Sequence, residues 1–70
     1  MEIEYDKDAD AIYIKLTDAE FASNKKIDNF TILDLDKDGK IIGIELLFVS
    51  ERLPATSLAE VHIKNMAVVT

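Results

Sequence analysis

Asp34, Asp36 and Asp38 stand at alternate positions, Gly39 follows them, and Glu45 closes a span of twelve residues. This is the calcium-loop spacing of an EF-hand. Carboxylates at loop positions one, three and five surround a hard cation, the glycine permits a sharp bend, and a glutamate at twelve closes the shell bidentately. Ile41 even occupies the apolar eighth position. Three observations weigh against a calcium site. The preceding run Asn29-Phe30-Thr31-Ile32-Leu33 is β-branched and suits a strand, where an EF-hand needs a helix. A second Asp-Lys-Asp turn at residues 6–8 lacks the glycine and carries Lys15 where the other has Glu45, so turn chemistry alone accounts for the aspartates. EF-hands also come in pairs, and the chain offers no second competent loop. The Asp34–Glu45 loop reads as a solvated hairpin turn, with calcium binding as the alternative.

The remaining candidates for chemistry are sparse. His62 is the lone histidine and so the lone neutral-pH base; on an alternating segment it reads as an exposed face residue. Ser23, Ser50 and Ser57 lie in no nucleophile motif, and there is no cysteine. Asp6, Asp8 and Asp10 have the chemistry to seat a divalent ion or act as paired carboxylates, yet loop-tip carboxylates ordinarily do no more than hold water. Gly39 and Gly43 are the only glycines, which excludes a glycine-rich phosphate loop. Tyr5 and Tyr13 flank a turn as ordinary cross-strand packing partners. No residue is assigned as catalytic, cofactor-binding or metal-ligating, and no cofactor is expected. A small oligomeric enzyme with His62 as base at a subunit junction is the weaker alternative.

The elements that must position these residues belong to one domain, since 70 residues suffice for one and not two. A chain of this size buries only about 60% of its unfolded surface, and without cysteines neither disulfides nor a thiolate zinc site brace it. A net charge of −6 repels phosphate backbones and anionic lipid, so neither nucleic acid nor membrane is expected as a partner. No apolar run approaches the ~20 residues of a membrane span, and Met1-Glu2-Ile3-Glu4 has no signal-peptide character. A cytoplasmic location is the expectation. Twelve of the fourteen acidic residues lie between Glu2 and Glu45, which leaves the C-terminal third neutral and apolar, either core or interface.

An internal repeat organises the first two thirds. Residues 5–16 lie over residues 35–46 with six of twelve positions identical. Each copy reads as a β-hairpin: Ile12, Ile14 and Leu16 alternate with polar or small neighbours, as do Ile42, Ile44 and Leu46. Ile3 and Tyr5 match Leu33 and Leu35 on the incoming arms. In the second copy a four-residue loop pairing Leu35 with Lys40 places Leu33, Leu35, Ile42 and Ile44 on one face, and a three-residue loop would flip one arm. In the first copy Ala9 replaces Gly39, so that loop is longer and includes Asp10. Residues 21–27 read as a third strand between the hairpins. The expected fold is α+β, mainly β: an antiparallel meander with strands near 2–5, 11–17, 21–27, 30–35 and 40–46. A short helix before Pro54 follows, then a C-terminal strand from Val61 to Val69. Ser57 with Glu60 offers a capping box as the competing reading of the tail.

The run Tyr5-Asp6-x-x-Ala9-Asp10-Ala11-x-Tyr13-Ile14-x-Leu16, followed by Ile32-x-Asp34-x-Asp36-x-Asp38-Gly39-x-Ile41-x-Gly43-Ile44-Glu45, resembles the small prokaryotic family catalogued as domain of unknown function 2283. The resemblance covers roughly residues 3 to 53 and stops before the tail. It implies no activity, cofactor or catalytic residue. It does imply an accessory protein of bacterial and archaeal genomes, in some cases placed beside small toxin-like proteins, and that the aspartates belong to the domain's own turns.

The function these features favour is a protein-interaction module, antitoxin-like, in which an acidic half steers a basic protein partner. Its binding surface would come from the apolar stretches Leu46-Leu47-Phe48-Val49 and Met66-Ala67-Val68-Val69. A homodimer is expected, because the core is small and a meander leaves two edge strands.

Overall fold

The structure, a computed structural model, describes residues 1–64. Strands β1 (Glu2–Asp6), β2 (Ala11–Lys15), β3 (Ser23–Asp28), β4 (Thr31–Leu35) and β5 (Ile41–Leu47) precede two short helices, α1 (Val49–Arg52) and α2 (Ala55–Ala59). Alternation of apolar and polar residues placed all five strands to within a few residues, and the fold is mainly β with short helices, as expected. All strands pair antiparallel in one sheet of order β1-β2-β5-β4-β3.

That order departs from a simple meander at one point. The third strand crosses to the far edge, and β5 takes the place beside β2. Composition explains the exchange. Ile12 and Ile14 on β2 need an apolar neighbour, which β5 supplies in Ile44 and Leu46, whereas β3 (Ser-Asn-Lys-Lys-Ile-Asp) is polar and exposed along its length and suits an edge.

The two hairpin loops differ as Ala9 and Gly39 require. In the first, Asp6 pairs with Ala11 around four residues, and the left-handed position falls on Asp10 (φ 52°). In the second, the Asp36 N–H donates to the Lys40 carbonyl at 2.9 Å, around a three-residue loop whose left-handed position is Gly39 (φ 79°). The expected pairing of Leu35 with Lys40 is therefore corrected: Leu35 faces Ile41. A bulge then leaves Ile42 without a partner on β4, and beyond it Asp34 faces Gly43. The short loop and the bulge each shift the register by one residue, and the total of two restores the faces. Leu33 consequently lies opposite Ile44, and the apolar residues of both arms share a face after all.

The same registers place Ile14 directly opposite Ile44, its counterpart in the repeat. A local two-fold axis therefore passes through this pair and exchanges the β1–β2 hairpin with β4–β5. On one face the sheet carries the row Ile3–Ile14–Ile44–Leu33, flanked by Tyr5–Ile12–Leu46–Thr31 and by Leu35. Among the described residues, Ile42 (5% exposed) and Val49 (2%) are the only fully buried apolar side chains, and the substantial contacts between elements all join neighbouring strands.

Helix α1 is tied back to the first hairpin. The Val49 N–H donates to the Asp10 carbonyl (3.1 Å), the Ser50 N–H to Asp10 Oδ1 (3.0 Å) and the Ser50 hydroxyl to Asp10 Oδ2 (2.7 Å). Asp10 thus caps a helix forty residues away, satisfying N–H groups that its first turn leaves free. Pro54 stands at the boundary with α2, and Ser57 lies inside that helix, so it starts no capping box. Residues 61–64 have no regular structure; the rest of the expected C-terminal strand lies outside the described residues. Asp10→Ala is expected to destabilise the fold by about 1–2 kcal/mol in urea unfolding. Unchanged stability would show that the tether contributes nothing.

Candidate functional site

The opposite face of the sheet holds the polar residues. Its rows are Glu2–Lys15–Gly43–Asp34–Asn24 and Glu4–Tyr13–Glu45–Ile32–Lys26. Asp34 sits between Leu33 and Leu35 on β4, so strand alternation turns it away from the apolar face, and it is only 6% exposed. Tyr13 makes that burial possible. Its ring lies across Gly43, where a Cβ would come within 2.6 Å of the Tyr13 hydroxyl. The glycine is the repeat counterpart of Tyr13 itself: one copy supplies the ring and the other supplies the space for it.

From this position the Tyr13 hydroxyl approaches the Asp34 carboxylate. Partial loss of water holds the phenol above its ordinary pKa, reinforced by that approach and by the charges of Asp34 and Glu45. Glu45 on β5 approaches Asp34 diagonally from the neighbouring strand. That contact, with partial desolvation and the Asp34 charge, raises the Glu45 carboxyl above the usual carboxylate range. Asp34 Oδ1 is left buried without a hydrogen-bond partner.

The twelve-residue calcium pattern is thereby split. Asp34 and Glu45, its first and last positions, meet on the sheet face, while the intervening residues form a hairpin tip between two strands. Asp36 Oδ1 accepts the N–H groups of Asp38 and Lys40, both at 2.9 Å, as a turn residue does. Asp6 Oδ1 does the same for Asp8 (3.0 Å) and Ala9 (3.1 Å) in the first copy. Asp10 is engaged with Ser50. Among the described residues, no three acidic or histidine side chains gather in a metal-binding arrangement.

His62 stands exposed, with Nε2 3.0 Å from Glu60 Oε2, remote in sequence from the sheet. Tyr5 and Tyr13 occupy opposite faces, because Tyr5 pairs with Ile12 and Tyr13 with Glu45. The apolar stretch at residues 46–49 also divides: Leu46 belongs to the apolar face, Leu47 to the polar face, and Val49 is buried in α1. Phe48, at a left-handed φ of 54°, packs edge-to-face on Phe30 (6.1 Å between centroids) beneath the Arg52 guanidinium, which lies 5.0 Å from the Phe30 ring. The Tyr13–Gly43–Asp34–Glu45 cluster was not foreseen as a unit. Its signals were an Asp between two leucines of a strand, and a glycine at the repeat position of a tyrosine.

An open, single-layer antiparallel sheet with one apolar and one acidic face is a domain of surfaces, whose depressions all lie open to solvent. Residues 2–50, more than half of the chain, match the family described as Protein of unknown function (DUF2283), and the chain belongs to it. No curated protein and no solved structure matches the chain. No helix is long and apolar enough to cross a membrane among the described residues.

The raised Glu45 carboxyl has a thermodynamic consequence. A carboxyl that holds its proton more tightly folded than unfolded contributes stability that is full below its unfolded pKa, near 4.3, and lost as pH rises through the elevated folded value. Glu45→Gln, which keeps the neutral form, is expected to raise Tm at neutral pH and to leave it nearly unchanged below about pH 4. An equal change at both pH values would contradict the contact with Asp34.

Proposed function

We propose that the chain is a protein-interaction module, an antitoxin-like accessory domain. It pairs with a second copy of itself through the apolar sheet face and holds the acidic face outward for a basic protein partner. The observation that carries this reading is the apolar face itself. Helix α1 reaches only one end of it, where Val49, Arg52 and Leu53 gather at Leu46, and Ile3 (39% exposed) and Tyr5 (40%) remain open at its edge. A face of five strands by about five residues projects over about 400 Å², taking ~4.8 Å between strands and ~3.3 Å per residue. Its apolar part, without the polar strand β3, lies within the size of the largest apolar patch on ordinary monomers, which is often a functional surface.

A second copy suits the face for two further reasons. The local axis through Ile14 and Ile44 makes the patch nearly two-fold symmetric, and an isologous interface requires a patch that can meet itself. The face is also nearly free of charge: Lys25 on the outermost strand is its principal ionic residue, so the net charge of −6 resides on the other face, the turns and the helices. Copies meeting here bury little like charge. The edges are less inviting, with Glu2, Glu4 and Asp6 on β1 and Lys25 and Lys26 on β3 discouraging strand addition.

Neighbouring residues on β1 supply a paired test, since Ile3 points to the apolar face and Glu4 to the polar one. Light scattering is expected to give a dimer for the wild type and for Glu4→Lys, and a monomer for Ile3→Glu with an unchanged circular dichroism spectrum. A monomeric wild type, or a dimeric and folded Ile3→Glu, would refute the arrangement.

A further inference from the structure

We propose that Tyr13, Asp34 and Glu45 form a receptor for a single guanidinium group, carried by an arginine side chain of the basic partner. This rests on the interaction-module reading and names the chemistry that the acidic face recognises.

The unexplained feature is Asp34 Oδ1, an acceptor shut away from water without a donor, on a residue only 6% exposed. Buried acceptors are nearly always satisfied, so an orphan on the outward face of a sheet marks a missing donor. Asn24 faces Asp34 directly across the β3–β4 pair, yet neither its amide nor any other donor among the described residues reaches Oδ1. Among the described residues, the ion pairs join Lys15 to Asp18 (3.0 Å) and His62 to Glu60 (3.0 Å), and Arg52 is spent on the Phe30 ring. Lys26 on β3, diagonal to Asp34, is the nearest cation by register and forms no ion pair with it among the described residues, and Lys15, two strands away, turns its ammonium to Asp18.

The geometry selects among cations. Asp34 faces Gly43 and Glu45 faces Ile32, so the two residues are diagonal neighbours on adjacent strands, about 7–8 Å apart, and their carboxyls converge from that diagonal to present several acceptors. A planar guanidinium spans such a pair with parallel N–H donors, and a compact ammonium meets one carboxyl at a time. Tyr13 adds an aromatic face beside them, which favours a flat cation. A hard metal ion would find only two carboxyls here. The lid is simple as well. Because Gly43 offers no side chain beneath the ring, a rotation of Tyr13 opens the way to Oδ1.

The test is a titration of the ¹⁵N-labelled, full-length chain with N-acetyl-arginine amide, followed by amide shifts. The same series is run with N-acetyl-lysine amide, N-acetyl-citrulline amide, calcium chloride and magnesium chloride. Saturable shifts confined to the surroundings of Tyr13, Asp34, Gly43 and Glu45 are expected for the arginine derivative, with about ten-fold weaker binding for the uncharged citrulline isostere. Asp34→Asn and Glu45→Gln are each expected to weaken binding by about ten-fold while the spectrum stays dispersed. Tyr13→Phe, which keeps the ring, supplies a milder variant should Asp34→Asn unfold. The receptor is overturned by shifts spread equally over Asp6, Asp36 and Asp38, by an equal response to lysine, or by calcium or magnesium saturating the site. A dimeric wild type without these shifts removes the receptor and leaves the module. A monomer that shows them removes the dimer and leaves the receptor.

Discussion

The contact between Ile14 and Ile44 sets the geometry on which everything else rests. It joins the central strands of two hairpins that share a sequence, at the one register where equivalent residues face each other. From that pair outward, strand alternation assigns every neighbour to a face. Ile3, Ile12, Leu33 and Leu46 fall on one side, and Glu4, Tyr13, Asp34 and Glu45 on the other. Had β2 and β5 slipped by one residue, Tyr13 would turn into the apolar face and its hydroxyl would leave Asp34. A small number of isoleucines therefore decides both the apolar face and the placement of the acids.

Near-symmetry also explains the polar cluster. In a perfect repeat, position 43 would carry a second tyrosine and the two rings would collide across the strand pair. Glycine at that position admits one ring, and the ring covers Asp34. The cost falls on Glu45, which gives up part of its acidity to the same carboxylate, and on the unpartnered Oδ1.

How legible this was in the sequence depended on the range of each interaction. Strands and turns were readable because side-chain alternation and the chemistry of Asp, Asn and Gly act within a few residues. The positive φ on Asp10 and not Ala9 followed from the same local logic. Helix α1 was signalled by the change of period after Leu46 and by Pro54. The position of β3 was not legible, since neighbours in a sheet need not be neighbours in the chain and only the pairing of β2 with β5 decides it. The three-residue loop was missed because a bulge at Ile42 compensates for it. The Asp10–Ser50 tether and the Tyr13–Asp34–Glu45 cluster depend on contacts between elements, which periodicity does not encode. Of the EF-hand spacing, the first and last residues meet on a strand face, and the ones between form the hairpin tip.

The central claim is that a second copy covers the apolar face around the Ile14–Ile44 axis. Isotope-filtered nuclear Overhauser spectroscopy on an equal mixture of differently labelled chains addresses it directly. The expected result is a set of intermolecular contacts among the methyl groups of Ile3, Ile14, Leu33 and Ile44. An absence of intermolecular contacts, or contacts confined to Tyr13 and the acidic face, would contradict it.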